Sequence, residues 1–298
     1  AQTESMTHSL SPIGFVGLGL LGQAMALRLQ QQGFQLVVWN REAERSAPLA
    51  AAGAVVADSP AAVARQCRIV CLCVIDGAAV REVVFGPRGI VSARGAARTV
   101  LDSSTVDPAE TRALAAEAGQ AGLRWIDAPI SGGPAAAETG GLTIMVGGAG
   151  EDVAAVQPLL QALASKRTHV GAAGSGQEMK VINQALVGCT YVMLAEVLAL
   201  ARRLGLPVEA VPDCLAGGLA DSVCLQRVWP RMAAEQFEPP TGRAGQLLKD
   251  LKNVDALRQE RGVELPLLQA ALAQYRFYAE ERGGADAESA SITRLYDR

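Results

Sequence analysis

The chain has 298 residues and a mass of 31.0 kDa; half of it is hydrophobic and 19% is charged, enough apolar side chain for two cores and too much for wholesale disorder. Against 30 acidic residues stand 27 basic ones, for a net charge of -3, and only 4% are aromatic. A nucleic-acid binder needs a basic stripe and stacking platforms, and neither is present.

Residues 1–12 are polar, lack the apolar centre of a signal peptide and read as a disordered tail. Ile13-Gly14-Phe15-Val16 then reads as a strand, 20–32 as a helix, 35–39 as a strand and 42–52 as a helix. Residues 69–74 and 99–102 are further short apolar runs, each followed by a helical segment. Strand and helix alternating in this way imply a parallel sheet covered on both faces. From about Gly176 onward the strand runs stop, and long helices are punctuated by Pro207, Pro212, Pro230, Pro239-Pro240 and Pro266. Residues 181–201 have the length and apolarity of a membrane span. They also carry Asn183, Gln184 and Glu196 with no polybasic flank, so the expectation is a helix buried between two domains, with no membrane involved.

The six cysteines, Cys67, Cys71, Cys73, Cys189, Cys214 and Cys224, are scattered through apolar stretches rather than packed as a disulfide scaffold, which points to a reducing compartment. Cys71-x-Cys73 could suggest a metal pair, but it lies in a run of buried-strand length and lacks a second pair or a nearby histidine. His8 and His169 are the only histidines, which leaves no material for a histidine-based triad or a multi-histidine metal site.

Gly17-Leu18-Gly19-Leu20-Leu21-Gly22 matches G-x-G-x-x-G and stands where the pattern has meaning, after the first strand and at the start of the first helix. Gly17 permits the tight turn, Gly19 lets backbone approach a pyrophosphate, and Gly22 lets helix pack on strand. The second strand ends in Val38-Trp39-Asn40-Arg41, where an NAD enzyme usually places Asp or Glu against the ribose hydroxyls. Without that carboxylate, Asn40 and Arg41 can accommodate a 2′-phosphate, and NADP(H) is favoured over NAD(H); the alternative is that Arg41 caps a surface turn.

Lysine is scarce, occurring only as Lys166, Lys180, Lys249 and Lys252. Lys180 opens the long apolar helix, and one turn later Asn183 and Gln184 present amides on the same face. A lysine held among amides can exchange a proton with a carbonyl or alcohol oxygen, which hydride chemistry requires. Taken alone, a lysine reaching out to solvent would serve as well.

Five ordered motifs together resemble the β-hydroxyacid dehydrogenase family, whose members include 3-hydroxyisobutyrate dehydrogenase, tartronate semialdehyde reductase and the glyoxylate/succinic semialdehyde reductases. Gly14-Phe15-Val16-Gly17 through Met25-Ala26 is similar to its cofactor opening. Asp102-Ser103-Ser104-Thr105 resembles the segment reaching the nicotinamide end, with Thr105 at the contacting position. The stretch from Asp127-Ala128-Pro129-Ile130-Ser131-Gly132-Gly133 to Gly147-Gly148 resembles the substrate signature, the Lys180 segment the catalytic helix, and Leu248-Lys249-Asp250-Leu251 the returning C-terminal element.

The resemblance implies a 6-phosphogluconate dehydrogenase-like fold. Its parts are a Rossmann-type α/β dinucleotide-binding domain over 13–175, an interdomain helix over 176–205, and an all-α substrate and oligomerisation domain over 206–298. It implies Lys180 as general acid/base and Asn183 as its catalytic companion. Ser131, Gly132 and Gly133 would hold the carboxylate of a small substrate beside Gln184, and Lys249, steadied by Asp250, would touch cofactor or substrate. Two departures stand out: Gln184 where many relatives have Asn, and Val74-Ile75-Asp76 where relatives often carry Leu-Pro-Asp, although the Val74 and Ile75 backbone can still line the cofactor. The reading is a cytoplasmic, NADP(H)-preferring homodimer or homotetramer that interconverts a short 3-hydroxy acid and its semialdehyde. The rivals are an imine or other carbonyl reductase on the same scaffold, which Lys180 argues against, and a non-catalytic cofactor-binding module.

Overall fold

In the computed structural model, which describes residues 10 and 12–296, the chain divides into two compact units, 1–180 and 181–298. The expected tail lies almost wholly outside the described residues. The division falls inside one continuous helix, rather than at either end of it.

The first unit is built on one sheet. Its strands are β1 (Ile13–Val16), β2 (Leu36–Trp39), β3 (Val55–Val56), β4 (Ile69–Leu72), β5 (Thr99–Asp102), β6 (Arg124–Asp127), β7 (Ile130–Ser131), β8 (Leu142–Gly147) and β9 (Ala164–Gly171). The order is β3-β2-β1-β4-β5-β6-β8-β7, with β9 on β8. From β3 through β6 every pairing is parallel, as the alternation of strand and helix requires. The parallel run ends at β6, which pairs antiparallel with β8, as β7 does. Both of those strands belong to the Asp127–Gly148 stretch, in which a short helix over Gly133–Thr139 carries the chain from β7 back to β8.

β1, β4 and β5 are buried along their whole length, the pattern of strands covered on both faces. Phe15, Met25, Leu29 and Leu101 fill the core on one face, and Val16, Val70, Leu72 and Leu114 fill the other. Asp76 and Asp107 cap the helices that follow β4 and β5 by accepting N–H bonds at their first turns, each worth about 1 kcal/mol. Cys67 and Cys71 are core thiols and Cys73 is half-buried; burial pushes each up to about 12, so the Cys71-x-Cys73 pair is packing material. His169 lies between the Gly148 and Gly171 carbonyls at 2.8 and 3.0 Å.

α1 (Leu20–Gln31) follows β1, and α2 (Ser175–Arg203) is the long helix that runs on into the second unit. There, α3 (Val223–Ala233), α4 (Ala244–Arg261) and α5 (Pro266–Arg276) pack around Trp229, Met232, Leu251 and Tyr275. Gly188 of α2 has no room for a side chain, since a Cβ there would lie 2.5 Å from Leu251. The helix as a whole departs from expectation. Only 33% of its most apolar stretch is buried, and Met179, Ile182, Leu186, Met193, Val197 and Leu200 stand exposed along it.

Candidate active site

β1 has β2 on one side and β4 on the other, so the chain leaves the sheet in opposite directions at its carboxyl edge, where open α/β sheets bind their ligands. The glycine-rich turn stands at that point. Gly17 has φ +95°, and a Cβ there would lie 2.3 Å from the Cys73 carbonyl; one at Gly22 would lie 2.1 Å from the Gly17 carbonyl. Both are therefore fixed by close approach of backbone. Gly19 differs: a Cβ there would meet nothing within 4 Å, so its missing side chain leaves an open approach to the start of α1. That is the arrangement a pyrophosphate needs, and it fits a dinucleotide. Leu18 is buried and its N–H donates to Asn40 Oδ1 at 2.7 Å, so both residues shape the turn; Leu20 is exposed and Leu21 half-buried.

Arg41 is highly exposed and sits 3.4 Å from Glu42. The Glu42 carboxylate also accepts from Asn40 Nδ2 at 3.0 Å, and that bond holds it below the usual carboxylate range. Sequence reasoning missed this carboxylate, whose place just beyond the strand end was the available signal.

The β4 and β5 edges are tied together. Val74 donates its N–H to Ser104 Oγ at 3.0 Å, and Ser104 donates its own to Asp102 Oδ1 at 2.9 Å. Val74 is half-buried and Ile75 exposed, while Thr105, also half-buried, lies between the anchored Ser104 and Val106. Asp102 is fully buried, and its Oδ2 has no hydrogen-bond partner among the described residues. Burial pushes its carboxyl up to about 7, a rise to which Asp127 adds and which the Ser104 contacts oppose.

Asp127, opposite Asp102 in the sheet register, accepts from the Gly174 N–H at 2.7 Å and the Gln177 N–H at 3.0 Å. Burial raises its carboxyl, and those N–H groups pull the other way. Three residues after Asp127, the Ile130 carbonyl accepts from Lys180 Nζ at 2.8 Å. Lys180 is only 7% exposed. Its ammonium therefore lies against the backbone that leads directly into Ser131, Gly132 and Gly133. Gly132 and Gly133 have φ +126° and +73°, turning their peptide groups as few other residues could. Ser131 and Gly133 are half-buried and Gly132 is exposed.

In the second unit, Asn183 donates to Gln184 Oε1 at 2.7 Å, and Gln184 donates to Asp250 Oδ2 at 2.7 Å. Lys249 Nζ lies 3.4 Å from Asp250 Oδ1. Gln184 and Asp250 line a polar cavity of about 200 Å³, with Tyr191, Arg243 and Gln246 on its walls. The carboxamide facing this cavity is thus that of Gln184, and Asn183 braces it. Among the described residues no group of three or more His, Cys, Asp or Glu side chains could hold a metal.

A dinucleotide turn at a sheet switch point, with a buried lysine anchored beside a twisted Ser-Gly-Gly segment, defines a nicotinamide-dependent oxidoreductase. Comparison with known proteins sharpens this. Residues 12–171 match the NAD-binding domain of 6-phosphogluconate dehydrogenase, and residues 174–296 match the NAD-binding domain of NADP-dependent 3-hydroxyisobutyrate dehydrogenase. The chain is 32% identical to the 2-(hydroxymethyl)glutarate dehydrogenase of Eubacterium barkeri over 94% of its own length and 92% of that protein. It is 35% identical to the 2-hydroxy-3-oxopropionate reductase of Escherichia coli over 76% and 77%. Psf3 in complex with NADP+ and 2-OPP superposes with a TM-score of 0.87 at 25% identity, covering 95% of this chain and 99% of that one. An imine reductase from Pseudomonas sp., at 21% identity and a TM-score of 0.63, shares the fold alone. The chain belongs to the β-hydroxyacid dehydrogenase family of NAD(P)-dependent oxidoreductases.

Proposed function

We propose that this protein interconverts a short 3-hydroxy acid and its semialdehyde, with NADP(H) preferred and Lys180 as general acid/base. The observation that carries the reading is the buried Lys180 ammonium, 2.8 Å from the Ile130 carbonyl at the threshold of Ser131-Gly132-Gly133. When bound, the reduced nicotinamide supplies the hydride that reaches the aldehyde carbon. Lys180 supplies the proton that the new alkoxide oxygen takes up, and the resulting amine is reprotonated from solvent. Ser131 and the turned peptides at Gly132 and Gly133 offer a hydroxyl and N–H groups to the substrate carboxylate, fixing which carbon faces the hydride. Gln184, one helical turn beyond Lys180, and Lys249 offer an amide and a positive charge to the rest of the substrate. Relatives named for a hydroxymethyl dicarboxylate and for an oxo-propionate, both carboxylates with a terminal carbinol or aldehyde, support this class.

NADP(H) preference rests on exposed Arg41 with Asn40 beside it, and Glu42 opposes it in part. The test is initial rate with NADPH and NADH against a panel of semialdehydes, for wild type and Lys180→Ala. The expected result is a preference for NADPH and, in the variant, a turnover loss of about 10²–10⁴-fold with cofactor affinity kept. Retained turnover in Lys180→Ala overturns the proton-transfer assignment.

We also propose that the enzyme is a cytoplasmic homodimer or homotetramer. The exposed side chains on α2 fall at steps of three, four and seven residues, the spacing of one continuous helical face. A face of this size is the kind that monomers seldom leave in water. Light scattering on wild type and Leu200→Arg tests it: the variant is expected to dissociate, and a monomeric wild type sinks the idea.

A further inference from the structure

Gln177 is a fully buried amide with its carboxamide and its N–H engaged, and its partners come from two separate parts of the first unit. Its Nε2 donates to the Ser104 carbonyl at 2.7 Å, and its Oε1 accepts from the Val106 N–H at 3.3 Å. Those two bonds bracket Thr105, clamping the loop after β5 from both sides. Its backbone N–H donates to Asp127 Oδ2 at the end of β6. Three residues later on the same helix, and therefore on the same face, stands Lys180.

Helix and strand approach closely here. A Cβ at Gly176 would lie 2.5 Å from the Met145 carbonyl and 2.8 Å from Asp127 Oδ2. The Asp127 carboxylate thus grips the first turn of α2 while the Gln177 carboxamide grips the loop. The segment from Asp127 to Ile130 receives the Lys180 ammonium at its other end.

We propose that Gln177 is a positioning residue: through its carboxamide it locks the Ser104–Val106 loop to the helix of Lys180, so that hydride donor and proton donor are held in one fixed geometry. This rests on the function proposed above, because the loop matters only if it meets the nicotinamide. Catalysis loses on the order of 10²-fold when reacting groups shift by about 1 Å, and severing a clamp on one loop is a displacement of that kind.

Two substitutions test it. Gln177→Met keeps the volume and removes both side-chain bonds. Gln177→Glu keeps the shape; its protonated form can still donate to the Ser104 carbonyl, whereas the ionised form sets a carboxylate against that oxygen. The charged and titratable groups around this position are Asp127 on its N–H, Lys180 one turn on, and Asp102 on the Ser104 N–H. The readouts are melting temperature, NADPH affinity by fluorescence, kcat, and the primary isotope effect with NADPH deuterated at the transferred position.

For Gln177→Met the expected result is NADPH affinity within threefold of wild type, kcat lower by about 10–100-fold, and a larger isotope effect as hydride transfer becomes rate-limiting. For Gln177→Glu, kcat is expected to recover toward wild type as pH falls, while the wild-type profile does not rise. A kcat within twofold of wild type in Gln177→Met, with an unchanged isotope effect, overturns the proposal. So does a Gln177→Glu profile that simply parallels wild type, which remains decisive if the Met variant fails to fold. Lys180→Ala separates the two readings: its retained turnover would sink the acid/base assignment while leaving the Gln177 isotope effect to stand or fall by itself.

Discussion

At the carboxyl edge of the sheet, polar side chains are tied mostly to backbone: Asp102 to an N–H, Asp127 to two, Gln177 to a carbonyl and an N–H, and Lys180 to a carbonyl. The polar cluster of the second unit is tied side chain to side chain. Asn183 bonds Gln184, Gln184 bonds Asp250, and Lys249 pairs with Asp250 beside an open cavity. Backbone partners are fixed by the strands and helix that carry them, so the first cluster has little freedom to rearrange. Side-chain partners can rotate together to receive a new group. The difference makes the sheet edge the fixed side of the comparison and the helical unit the adaptable one.

Breaking the rigid side should produce the largest effect. In Gly17→Ala the new Cβ must occupy space taken by the Cys73 carbonyl, at a backbone angle alanine resists. The expected result is a melting temperature lower by about 5 °C or more together with loss of NADPH binding, read by thermal denaturation and fluorescence titration. An unperturbed melt would show that the turn relaxes and the sheet edge is softer than described.

Breaking the adaptable side should produce a smaller and more selective effect. Gln184→Leu removes a hydrogen bond to a carboxylate, and KM for the semialdehyde is expected to rise roughly tenfold with NADPH affinity unchanged. Equal losses across all substrates and in cofactor affinity would place Gln184 with the rigid network.

The smallest effect is on stability and depends on pH. The Asp102 carboxyl is raised from 3.8 to about 7 by burial, so between those values the folded protein holds a proton that the unfolded chain has released. Stability therefore falls as pH rises through this window and levels off above about 7. Asp102→Asn, neutral at every pH, is expected to flatten that slope and melt a few degrees above wild type at pH 8. An identical slope in the variant would assign the window to other groups.

What the sequence made legible was local. The G-x-G-x-x-G turn, the first strands and the succession of long helices are encoded within a few residues of each other, so periodicity and turn chemistry find them. The clamp around Gln177 was illegible because its partners lie 71 to 73 residues away and meet only through the β5–β6 register. Two strands ending in Asp, at Asp102 and Asp127, were the visible trace; each heads a family-like motif without a role of its own being read from it. The antiparallel return at β8 was hidden for a related reason: the short helix Gly133–Thr139 that reverses the chain lies in a stretch that sequence reading had already given to substrate. Exposure of α2 escaped as well, since an apolar helix reads the same whether its face is covered within the chain or left uncovered.

The burial that shapes the cysteines has a practical side. With Cys67, Cys71 and Cys73 pushed up to about 12 and Cys224 to about 11, almost none of each is thiolate near neutral pH. Burial raises the half-buried Cys189 thiol as well, and Cys214 is the exposed one. A maleimide dye should therefore attach first at Cys214 on the helical unit, and its emission, followed against the intrinsic fluorescence of bound cofactor, would report how the molecule moves through a turnover.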